Sequence, residues 1–107
     1  MAHYKLYKDK FDRARNMTWH RMRAQANYRG EPWELSFDDY REFWPTEELW
    51  AQRGRSTESL CMTRIDPEGP WSRTNSVVLP RIDQARYKNA MFWNTDPTPH
   101  LSRARRL

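Results

Sequence analysis

One stretch, TRIDPEGPWSRTNSVVLPRIDQARYKN from Thr63 to Asn89, gathers the side chains best suited to work on a phosphate. Asp66 offers a carboxylate, the ligand type a hard divalent cation prefers. Arg64, two residues earlier, offers a planar guanidinium fork that matches phosphate or carboxylate. Asn75, Gln84 and Asn89 offer carboxamides, which donate and accept hydrogen bonds but are weaker metal ligands. Strand alternation sets Arg64 and Asp66 on one face, with Thr63 and Ile65 on the other. Arg64 and Asp66 are therefore expected to pair. A bend after Arg64 would instead leave Asp66 able to reach a metal.

The classical proton acceptor is missing from this stretch. The three histidines, His3, His20 and His100, all lie elsewhere, in the N-terminal tail, the first helix and a Pro-flanked tail. None is expected to act as a base. The single cysteine, Cys61, excludes an internal disulfide and a cysteine-built zinc site, and it reads as a small buried strand residue.

Several elements must hold these side chains. Apolar residues recur at helical steps from about Lys8 to Tyr28, with Arg13, Arg15, Arg21 and Arg23 spread over the polar side. Gly30 and Pro32 mark a turn. Ser36 and Asp39 form a capping-box-like start, and Phe37, Tyr40, Phe43 and Trp44 give the helix that follows an apolar face. Pro45 ends that helix, Thr46 caps a short one, and Gly54 stops it. Leu60 to Asp66 and Asn75 to Leu79 read as two strands around a Pro/Gly turn. Pro80 then opens a helix from Arg81 to about Met91. The fold class expected is α+β, with N-terminal helices packed on a β-hairpin–helix element. One domain spans 1–93, with its first helices in about 8–53 and the hairpin–helix in about 60–91. Residues 94–107, with Pro97, Pro99 and LSRARRL, read as a mobile basic arm.

The ordered set Arg64, Ile65, Asp66, Gly69, Trp71, Ser72, Asn75, Gln84 and Asn89, with Trp33 and Arg53-Gly54 upstream, resembles small phage-type HNH endonucleases. The resemblance covers about Trp19 to Asn89. It implies a ββα metal fold, and a Mg²⁺ or Mn²⁺ ion set against a scissile phosphate. By that resemblance Arg64 stands where the general-base histidine belongs, and Thr63 where a metal-binding aspartate often precedes it. Asn75 would tie the hairpin loop together, Gln84 or Asn89 would hold the helical metal position, and Asp66 remains as a carboxylate ligand. A guanidinium with an ordinary pKa of about 12.5 is a poor proton acceptor at neutral pH. The expectation is thus a nucleic-acid-binding protein that is either a DNA endonuclease with a degenerate site or an inactive scaffold. Such a scaffold would bind a host protein, such as a polymerase or nuclease, or contact DNA in a virion.

Composition agrees with a nucleic-acid partner. There are 19 Lys+Arg against 14 Asp+Glu, a formal charge of +5. Mean hydropathy is −1.14, yet 14% of residues are aromatic, enough large rings for a polar domain to bury a core. Arg73, Arg81, Arg86 and Lys88 on the hairpin–helix element, and Arg103, Arg105 and Arg106 in the arm, are the expected phosphate contacts. No segment reaches transmembrane length and MAHYKLYKDK lacks a signal-peptide core. A soluble protein of the host cytoplasm, without a membrane partner, is expected.

Overall fold

The structure is a computed structural model that describes residues 9–107. His3 and the expected helix start at Lys8 lie outside the described residues. Helix α1 runs Lys10–Tyr28 and is capped by Asp9, whose carboxylate accepts from Phe11 N at 3.2 Å. Helix α2 is Phe37–Phe43 and α3 is Glu47–Ala51. Strands β1 (Leu60–Arg64) and β2 (Ser76–Pro80) form an antiparallel hairpin with Met62 opposite Val78. Helix α4, Arg81–Phe92, follows directly, and a 3₁₀ turn covers Thr98–Leu101. The described residues thus make an α+β arrangement of four α-helices and a two-stranded sheet.

Local chemistry explains the boundaries. Ser36 Oγ accepts from Asp39 N at 3.0 Å, and the Asp39 carboxylate accepts from Ser36 N at 3.0 Å, completing the capping box. Trp44, forced out of helical geometry before Pro45, sits at φ −123° and ψ 68°. Thr46 Oγ1 then caps α3 by accepting from Leu49 N.

The hairpin is apolar on both faces. On one, Val78, Leu60 and Met62 pack with Leu35, Tyr40, Phe43 and Trp44. On the other, Cys61, Val77 and Leu79 would face water. That face is closed by the C-terminal segment, which is therefore no mobile arm. Leu101 and Ala104 pack on it, and Arg105 exchanges backbone hydrogen bonds with Val78 at 3.0 and 2.7 Å. Covering the face also pairs one edge of a sheet that is otherwise only two strands wide. No described helix is long and apolar enough to cross a membrane.

Candidate functional site

The hairpin loop is organised by Asn75. Its Oδ1 accepts from Asp66 N at 2.9 Å, and its Nδ2 donates to Asp66 O at 3.0 Å and Pro70 O at 2.8 Å. Gly69 leaves room for this amide: a Cβ there would stand 3.0 Å from Asn75 Nδ2. Asp66 uses one carboxylate oxygen to accept from Glu68 N at 2.9 Å, an Asx-type turn within the loop. The loop is stitched to the segment before α2, with Trp71 N donating to Pro32 O and Glu34 N to Trp71 O.

Arg64 does not pair with Asp66. Its guanidinium donates to Gly69 O at 2.9 Å and to Glu31 Oε2 at 3.1 Å, and lies 5.5 Å from the Trp71 ring centre. Glu31 is the hub of this cluster. Arg29 donates to both of its oxygens and Trp71 Nε1 to Oε1 at 3.0 Å. The Arg29 and Trp71 hydrogen bonds, with the Arg64 charge, hold the Glu31 carboxyl down at about 2. Arg64 and Glu31 side chains are 14% and 19% exposed, so the pair is largely shielded from water.

Three of the expected phosphate contacts have other work. Arg73 is bound by Asp39 at 2.9 Å and Glu42 at 2.7 Å. Arg103 forms a fork on Asp83, with a further contact to Glu58. Arg105 reaches the carbonyls of Phe43 and Glu42. Arg86, Lys88 and Arg106 have no carboxylate partner among the described residues.

A cavity of about 500 Å³ opens between α1, the α3–β1 connection and α4. Its charged lining consists of Arg21, Arg53, Arg55 and Arg81, with no carboxylate among the described residues that line it. Arg81 Nε donates to Gly54 O, which holds its guanidinium at this rim. The Arg53 guanidinium lies over Trp50, 3.4 Å from the ring centre, and burial together with the Arg21 charge lowers its affinity for its proton. A second cavity, about 400 Å³, is entered by Thr63, Arg64, Glu31, Trp71 and Lys88. Met22 and Gln25 of α1, Met62 of β1 and Gln84 of α4 line both, so the two cavities adjoin along these residues and together make up a groove. Gln84 thus faces this groove, whereas Asp66 lines neither part. Among the described residues no group of three or more His, Cys, Asp or Glu side chains is placed to hold a metal ion.

No protein-family model matches the chain, and no curated protein or solved structure matches it.

Of the residues singled out in the sequence, the structure places Asn75 in the hairpin loop, Arg81 at the first cavity, Lys88 at the second and Gln84 at both. Arg21, expected on a solvated helix face, and Arg53 and Arg55 line the first cavity with Arg81, a grouping not expected from the sequence. Their signal was present in Arg53-Gly54-Arg55, two guanidinium groups flanking a glycine immediately before a strand. Glu31 carried no signal as a hub, because besides its neighbour Arg29 its partners Arg64 and Trp71 are 33 and 40 residues away in sequence.

Proposed function

We propose that this protein binds the phosphate backbone of nucleic acid on an HNH-like scaffold and does not cut it. The observation that carries the reading is the cavity lined by Arg21, Arg53, Arg55 and Arg81 without a carboxylate. Four cations gathered without counter-charge repel one another, and a polyanion relieves that repulsion while releasing its own condensed counterions.

The order β1, β2, α4, with Asn75 lacing the loop, supports the HNH-like part of the reading. The absence of cutting is supported by the chemistry at Arg64. A guanidinium engaged by Glu31 and Gly69 O is a donor on every arm and takes no proton from water. The residues present also do not fit a hard divalent cation. Asp66 is turned into the loop, Gln84 offers only an amide, and the Arg64 cation stands beside the groove that Gln84 faces.

The test is binding of labelled DNA across salt. Affinity is expected to fall steeply between about 50 and 200 mM salt, and Arg21→Ala with Arg55→Ala to flatten the log–log slope by about 1.5. Binding that ignores salt, or a slope unchanged in the double variant, overturns the phosphate reading. Nicking of a supercoiled plasmid with Mg²⁺ or Mn²⁺ by the folded protein overturns the non-cutting part.

A further inference from the structure

The groove is chemically divided along its length. The Arg21, Arg53, Arg55 and Arg81 end is cationic. The other end is lined by Met62, Trp71, Tyr87 and Met91 together with the Glu31–Arg29–Arg64 cluster, which leaves Lys88 as the cation not tied to Glu31. Gln25 and Gln84 stand at the junction, lining both ends, and neither carboxamide has a hydrogen-bond partner among the described residues. A carboxamide presents a donor and an acceptor side by side, the pattern of a base edge.

Size restricts what can lie there. Arg81 and Met91 mark the two ends along α4, which at 1.5 Å per residue gives a groove about 15 Å long. The Met62–Trp71 end, about 400 Å³, is on the scale of a pocket for one small planar group. In a duplex the bases are stacked inward and only their edges are offered in the grooves. A chamber carrying Met62, Trp71, Tyr87 and Met91, adjoining a cluster of arginines, suits phosphates on one side and an unstacked base on the other.

We infer that the groove takes single-stranded nucleic acid, with phosphates on Arg21, Arg53, Arg55 and Arg81 and an unpaired base in the Met62–Trp71 chamber, its edge read by Gln84 and Gln25. This deepens the phosphate-binding reading and rests on it. The groove as a whole would distinguish a strand from a duplex through the chamber, because the arginines alone serve either.

Fluorescence anisotropy with three labelled probes separates the possibilities: a mixed-sequence DNA strand, its duplex, and a strand of equal length made of abasic sugar-phosphate. The strand is expected to bind about tenfold more tightly than either of the others at one salt concentration. Gln84→Ala is expected to weaken strand binding about fivefold and to leave the duplex and abasic probes unchanged. Duplex binding as tight as strand binding overturns this inference and leaves the phosphate-binding reading standing. Equal binding of the abasic strand overturns the base chamber. If Gln84→Ala weakens all three probes alike, the amide is not reading a base and the inference fails. Binding of none of the three at low salt overturns both readings together.

Discussion

Removing the Glu31 carboxylate should loosen three parts of the chain at once. Glu31 holds the end of α1 through Arg29, the end of β1 through Arg64 and the hairpin loop through Trp71 Nε1. The Arg29 bonds are made by a half-exposed side chain, so they contribute only about 0–1 kcal/mol. The Arg64 and Trp71 bonds are shielded and charge-assisted, about 1.5–3 kcal/mol each. Arg64 keeps its bond to Gly69 O in the variant, which limits the damage. Glu31→Ala should therefore cost about 4 kcal/mol, a large share of the roughly 5–15 kcal/mol of a typical domain. At about 4 °C per kcal/mol for a chain of this length, the melting midpoint should fall about 15 °C. Glu31→Gln keeps one good acceptor and should lose about half as much. The pH dependence gives an independent check. The folded carboxyl sits at about 2 against an ordinary 4.5, a depressed value. Its contribution is therefore complete above the ordinary value and disappears as pH falls from 4.5 toward 2. Thermal and urea unfolding followed by tryptophan fluorescence measure both effects. A loss below about 1 kcal/mol in Glu31→Ala would refute the hub. So would a gap between the native protein and Glu31→Gln that does not narrow over that pH window.

Two further outcomes follow from named contacts. Asn75→Ala removes three hydrogen bonds from a partly exposed loop and should cost about 2 kcal/mol in urea unfolding, whereas an unchanged midpoint would remove its lacing role. Arg103→Ala leaves Asp83, whose side chain is 9% exposed, without its fork and should lower the urea midpoint, by less than a fully buried pair would because Arg103 itself is half exposed. Adding Asp83→Ala should then recover part of that loss, and a double variant no more stable than Arg103→Ala would refute the pairing.

What could be read from the chain was what neighbours decide. The capping box needs only Ser36 and Asp39, three residues apart, and Pro45 acts on Trp44 alone. The hairpin and α4 came out with their expected order because alternation, turn residues and Pro80 all lie within the stretch they shape. What could not be read was set by partners far away. Arg73 looked free beside the hairpin, yet its carboxylates come from Asp39 and Glu42 on α2. Arg15 looked like part of a solvated face, yet it is buried, with Nη1 donating to Trp44 O at 2.9 Å. Leu101 and Ala104 are two modest apolar residues in a cationic segment. Their burial was decided by the bare Cys61–Val77–Leu79 face, not by their own surroundings in sequence.

The strap made by Leu101, Ala104 and Arg105 has a consequence for how the protein is made. Arg105 closes onto Val78 and also onto the carbonyls of Phe43 and Glu42, more than sixty residues upstream. A ribosome delivers those upstream partners first, so β2 must wait with an unpaired edge and an oily face until the strap has emerged. During that interval the nascent chain presents a site for any extended apolar peptide, including another copy of itself. Slowing elongation across residues 94–105 should lengthen that exposure and increase chaperone dependence, without altering a single contact of the finished fold.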